Sequence, residues 1–124
     1  MDIGIREHLL SEVEDITEDG VKEMMPNMIM IDLYVRNYFR GKVVQTLVDA
    51  GVSVHCFGAG WEFLPCEHPE NLIKEGGVDS LACLQALSKA KVSLNVMPWF
   101  KDGAHDRVFN SMLNGAVCLS LIHI

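Results

Sequence analysis

From Pro26 onward, glycine and proline punctuate an exchange of helix-like and strand-like segments, and that alternation limits the fold more than any other feature of the chain. Pro26 opens a stretch in which Ile31, Val35, Tyr38, Val44, Leu47 and Val48 keep a helical period, and Gly51 stands where a left-handed cap would end it. Val52–Phe57 is a β-branched and aromatic run, read as a strand, which empties into the glycine turn Gly58-Ala-Gly60-Trp61. A polar loop with Pro65, His68 and Pro69 follows. Beyond Gly76 and Gly77, Asp79 or Ser80 can cap a helix through Leu81, Leu84, Leu87 and Ala90. Val92–Met97 is the next strand, stopped by Pro98. A loop over Trp99–Ala104 then leads to a helix from His105 to Asn114, ended by Gly115, and Ala116-Val117-Cys118 begins another strand.

The order from Pro26 is thus helix, strand, helix, strand, helix, strand. Short connections in such an order imply parallel strands with helices on the sheet faces, an α/β fold with a Rossmann-like parallel sheet. Ligands of these sheets bind beyond the carboxyl ends of the strands, where the loops gather. Two loops qualify, Gly58–Trp61 and Trp99–Asp106, and both carry glycine. Upstream, Ile5, Leu9, Leu10, Val13 and Ile16 predict a helix that Gly20 breaks, and the acidic run Glu12–Asp19 reads as a solvated face.

Composition narrows the partners. Hydrophobic residues are 49% of the chain, enough for a packed core rather than a disordered segment. With 17 acidic against 10 basic side chains the net charge is −7, which disfavours nucleic acid and anionic membranes as broad-surface partners. A small anion held by a few placed cations stays compatible with that balance. No apolar run is long enough to predict a transmembrane segment. Cys56, Cys66, Cys83 and Cys118 show no CxxC spacing and read as thiols of a reducing, cytoplasmic compartment. Cys66 and His68 would make only a metal corner, so no metal is expected.

The chemistry concentrates between Pro98 and Gly115, where a strand end, a glycine loop and a helix start follow one another. Unbonded amides and the positive end of a helix dipole favour an anion at such a junction. Gly103 lets the backbone approach a phosphate closely, while Lys101 and Arg107 supply charge, Arg107 in bidentate fashion.

The run Lys91-Val-Ser-Leu-Asn-Val-Met-Pro-Trp-Phe-Lys-Asp-Gly-Ala-His-Asp-Arg-Val-Phe-Asn-Ser-Met-Leu-Asn-Gly-Ala-Val117 resembles the C-terminal signature of bacterial glycosyltransferases of the group one type. Its branch is similar to the spore-maturation glycosyltransferases, as are Tyr38-Phe-Arg-Gly-Lys-Val-Val44 and Val54-His-Cys-Phe-Gly-Ala-Gly-Trp61. The resemblance spans Tyr34 to Cys118. It implies the donor-binding half of a GT-B fold, a nucleotide-sugar donor, a glycan or glycoconjugate acceptor bound outside this segment, and transfer into a cell-surface or spore-coat glycan. Cofactors are not implied, since the nucleotide sugar is the substrate.

The family pattern places two acids on the donor loop and helix, the first followed by glycine. Here the first falls at Asp102, before Gly103, and the second position, seven residues further between them, is Asn110. Asparagine can still bond a hydroxyl but brings no charge. By resemblance Asp102 and the Gly103 backbone face the sugar-diphosphate, and His105 and Arg107 lie beside the leaving phosphate. Gly58 and Gly60 join Lys101, Gly103, His105 and Asn110 as donor contacts, with Asp102 and Arg107 carrying the catalysis.

Plainer readings stand beside these. Asp102 is also a common turn residue before glycine, Asp106 is a cap and dipole partner, and Asn95 is a structural hydrogen-bonding group on its strand. Trp99 and Phe100 read as loop packing, and Gly58 and Gly60 as a tight turn. A non-catalytic nucleotide-sugar-binding or structural module of the same fold is the alternative function, motivated by Asn110. A receiver-like signalling domain fits less well, because Val52–Gly60 has no acid at the strand end.

The expected organisation is a helical segment over 1–33, a truncated donor-binding half-domain over 34–118, and a tail over 119–124. That tail, Leu119-Ser-Leu-Ile-His-Ile124, reads as one frame of a transposase sequencing adaptor (CTG TCT CTT ATA CAC ATC), so native sequence is expected to end near Cys118.

Overall fold

The structure, a computed structural model, describes residues 17–98 and 104–121. The expected helix over Ile5–Ile16, the loop residues 99–103 and the tail residues 122–124 lie outside that range. The chain divides into two compact units, Met1–Val35 and Arg36–Ile124.

Helix α1 spans Glu18–Asp49. It begins where the sequence offers a cap: Thr17 Oγ1 accepts the Gly20 amide at 3.1 Å, and Glu18 and Asp19 sit at the positive end of the dipole. The predicted break at Gly20 and the predicted start at Pro26 are both overturned, since α1 runs through both residues. Pro26 removes one intrahelical bond and its ring crowds the carbonyl four residues back, yet the helical turns on either side continue past it. In the first unit Ile29, Met30, Ile31, Leu33 and Tyr34 are exposed, while Val21 is buried. The apolar stripe therefore departs from expectation: Ile31 and Tyr38 face outward, and the buried seam begins at Val44.

In the second unit Val44 and Val48, four residues apart on one face of α1, pack with Cys56 and Leu72 into the core; Val54, Trp61, Leu64, Cys66 and Leu94 close around it. Burying each valine contributes on the order of 1.5–3 kcal/mol. The end of α1 is a Schellman motif: the Gly51 amide bonds Val48 O at 3.0 Å and the Val52 amide bonds Leu47 O at 3.0 Å. Gly51 adopts φ 87°, a left-handed conformation open to glycine at little cost. That motif consumes Val52, so strand β1 is Val54–Phe57, later than the sequence suggested.

The region expected to be a plain polar loop holds a further strand. After 3₁₀ turns at Trp61–Phe63 and Pro69–Asn71, β2 (Leu72–Gly76) runs parallel to β1, Val54 opposite Leu72. Its sequence hides it, because only Leu72 of Leu-Ile-Lys-Glu-Gly is buried. The crossover is tied to the end of α1 instead: Asp49 Oδ1 accepts the Glu67 and His68 amides at 2.8 and 3.3 Å, and Asn71 Nδ2 donates to Val48 O at 3.1 Å.

Helix α2 (Ser80–Lys89) is capped by Asp79, whose carboxylate accepts the Ala82 amide at 2.7 Å. Strand β3 (Val92–Val96) pairs in parallel with β4 (Val117–Leu121), Val92 opposite Val117 through Val96 opposite Leu121. Between them lies α3 (Asp106–Leu113), which ends in a second Schellman motif: the Ala116 amide bonds Ser111 O at 2.9 Å and the Gly115 amide bonds Met112 O at 3.1 Å. Asn95 is fully buried; its Nδ2 donates to Ser120 Oγ at 3.0 Å and its Oδ1 has no hydrogen-bond partner. The architecture is α/β, with two two-stranded parallel sheets.

Candidate functional site

Two strand ends were expected to hold an anion, and they are built differently. Beyond β1, Gly58 and Gly60 have their amides committed: Gly58 to Gly76 O at 2.6 Å, and Gly60 to Glu62 Oε2 at 2.9 Å. Trp61 Nε1 closes the turn on Phe57 O at 3.1 Å. A carboxylate thus occupies the amide a phosphate would need, and His55 Nδ1 pairs with a second acid, Glu75, at 2.9 Å. Coulomb repulsion from Glu62 and Glu75 works against a diphosphate there.

Beyond β3 the charge is reversed. Arg40 reaches from α1 to the strand's carboxyl end, with Nε donating to Val96 O at 3.2 Å and Nη2 to Met97 Sδ at 3.3 Å. Its guanidinium is held below the ordinary arginine range, first by burial and then by the positive charges of Arg107 and Arg36. Arg40 therefore lies within electrostatic reach of both Arg107 and Arg36 in a protein of net charge −7.

Arg107, exposed in the first turn of α3, is the predicted residue that belongs to this group. The helix start itself is more occupied than the sequence implied. His105, not Asp106, is the N-cap: its Nδ1 accepts the Arg107 amide at 3.2 Å, and its carbonyl accepts the Val108 amide at 2.9 Å. Asp106 stands in the first turn, with Oδ1 2.6 Å from the same Nδ1. One ring nitrogen cannot serve both neighbours, because it must be bare to cap and protonated to donate to the carboxylate. An anion at the helix start would therefore compete with His105 for the Arg107 amide.

Asn110 lies on α3, and its carbonyl accepts both the amide and the side-chain nitrogen of Asn114, at 3.2 and 2.8 Å. Lys101, Asp102 and Gly103 lie outside the described residues, as do Trp99 and Phe100. Arg36 and Arg40 are the members that sequence reasoning missed. Their signal was two like charges four residues apart on a helix, an arrangement that costs stability unless something nearby uses it.

Burial, and then Cys66, push the Cys56 thiol up to about 11, and burial, followed by Asp49, raises Cys66, so both stay protonated at neutral pH. Among the described residues no group of three or more His, Cys, Asp or Glu side chains is placed to hold a metal ion. No helix among them is long and apolar enough to cross a membrane. Compared with protein-family models, curated proteins and solved structures, the chain matches none.

Proposed function

We propose that this chain is the donor-binding part of a glycosyltransferase that uses a nucleotide sugar, a Rossmann-like half of a GT-B enzyme acting in the cytoplasm on a cell-surface or spore-coat glycan. One observation carries the reading: Arg40 grips the carboxyl end of β3, where a parallel α/β sheet presents ligands, and Arg107 and Arg36 lie near enough to lower its pKa. The resemblance of Lys91–Val117 to the group one signature gives that cationic site its substrate class.

Transfer of a sugar leaves a nucleoside diphosphate, and the developing charge is on the departing oxygens. Arg107 is suited to bind them in bidentate fashion, and the neighbouring guanidinium charges lower the energy of the departing group. By resemblance Asp102 and Gly103 meet the sugar-diphosphate, Lys101 adds charge, and Asn110 offers an uncharged hydrogen bond to a hydroxyl. Acceptor and any general base belong to parts of the enzyme beyond this segment, so the segment alone is not expected to turn over.

Asn110 in place of an acid favours a second reading, a module that binds nucleotide sugars without transferring them. Calorimetric titration with a panel of nucleotide sugars, repeated on Arg107→Ala and Asp102→Ala, tests the site. Loss of Arg107 should cost about 1.5–3 kcal/mol of binding, as for a charge-assisted hydrogen bond. Unchanged affinity in both variants would reject the assignment. Binding without transfer by the protein with its acceptor domain would leave the module.

A further inference from the structure

We propose that Arg40 is a positioning residue: its bonds to the Val96 carbonyl and the Met97 thioether fix the carboxyl end of β3, and so set where Arg107 stands, without Arg40 itself ligating the anion. This rests on the donor-binding reading above. Two directed donors of the guanidinium, Nε and Nη2, point at the strand, at 3.2 and 3.3 Å. Two of the guanidinium's five N–H groups are thus turned inward, including the single one on Nε, which breaks the Nε–Nη2 fork that a bidentate phosphate contact on that edge would use. Arg107, in contrast, is exposed at the start of α3.

The mechanical link is short. Strand β3 pairs with β4 through Val92 opposite Val117 and Ser93 opposite Cys118, ahead of residues 119–124, so the strand whose end Arg40 grips is tied directly to the strand that follows α3. Helix α3 rests on both of these strands. Releasing Val96 and Met97 would loosen the support beneath the helix that carries Arg107. Met97 and Pro98 are buried, so the grip is made on a part of the strand that water does not reach.

Glutamine separates the two roles, since its Nε2 is as many bonds from the backbone as arginine Nε and can donate to the same carbonyl without charge. The 124-residue chain would be titrated with inorganic pyrophosphate, and amide exchange followed at Met97, for Arg40→Gln, Arg40→Ala and Arg107→Gln. A positioning role requires Arg40→Gln, which loses the charge but keeps the grip, to hold Met97 exchange near that of the parent and to lose clearly less pyrophosphate affinity than Arg40→Ala. Arg40→Ala should lose about tenfold or more in affinity and speed exchange at Met97, and Arg107→Gln should lose similar affinity with Met97 unmoved, tenfold being the scale of one charge-assisted bond. If Arg40→Gln weakens pyrophosphate as much as Arg40→Ala does, Arg40 is a ligand and the proposal fails. Equal Met97 exchange in all chains would also overturn it. A parent chain that ignores pyrophosphate removes the donor-binding reading instead, and the exchange comparison then decides the clamp alone.

Discussion

The turn after β1 and the junction after β3 would pass for equivalents in a list of motifs, since each is a strand end followed by glycine. In the first, the amides of Gly58 and Gly60 are consumed by Gly76 O and the Glu62 carboxylate, and Glu75 lies across the neighbouring strand. At the second, Arg40 grips the strand end, with Arg107 and Arg36 close enough to depress its pKa. Glycine permits a phosphate to approach but does not attract one. Attraction needs charge that is already placed, and at the β3 end Arg40 supplies it.

That contrast can be broken in several ways. The largest effect expected is the loss on Arg107→Ala described above, with no comparable loss when the β1 turn is altered. Next comes Val48→Ala, which hollows the fully buried contact of α1 against β1 and β2. It should lower unfolding stability by about 2 kcal/mol in denaturant melts. If pyrophosphate affinity is retained under conditions where Val48→Ala stays folded, the site belongs to the β3 end alone.

A smaller effect is expected at the cap. His105→Ala should cost about 0.5–1 kcal/mol of stability by orphaning the Arg107 amide. It should not weaken pyrophosphate binding, because that amide becomes available to the anion. A loss of binding as large as that of Arg107→Ala would make His105 a ligand rather than a competitor.

Alkaline pH probes the core of the β1 half. The folded state keeps the Cys56 proton up to about 11, whereas an unfolded thiol releases it near about 8.5. Between those values the native state binds more protons, so stability is full below the lower one and declines as pH rises toward the upper one. Cys56→Ala should flatten that decline in melts recorded across the range. Smallest of all, Glu62→Ala frees the Gly60 amide but should leave pyrophosphate affinity where it was. A gain there would mean the β1 turn is an anion site that Glu62 masks.

Local punctuation was legible in the residues. Gly51 and Gly115 each end a helix in the left-handed conformation expected of them, at φ 87° and 81°. Asp79 proved to be the cap between two candidates, β1 and β3 fall within two residues of where the hydrophobic runs put them, and β4 starts within one residue of its run but continues to Leu121, into the segment set aside as a tail. The failures were of another kind. Pro26 is a helix breaker by its own chemistry, yet its neighbours outvote it. β2 is nearly invisible because Lys74, Glu75 and Gly76 are exposed, and it is a strand only because β1 lies beside it to accept its backbone bonds. His105 as a cap could not have been chosen over Asp106 from the preferences of either residue.

What the sequence determined by itself, then, is where helices and strands stop, because capping and turn formation depend on residues a few positions apart. It also set the overall acidity and, through Arg107, one pole of the site. Only the tertiary structure decided which strand end carries charge. Arg40 and Val96 meet across 56 residues of chain, and no periodicity reports such a meeting; it sets the Arg40 guanidinium at the β3 end, with Arg107 and Arg36 near enough to lower its pKa.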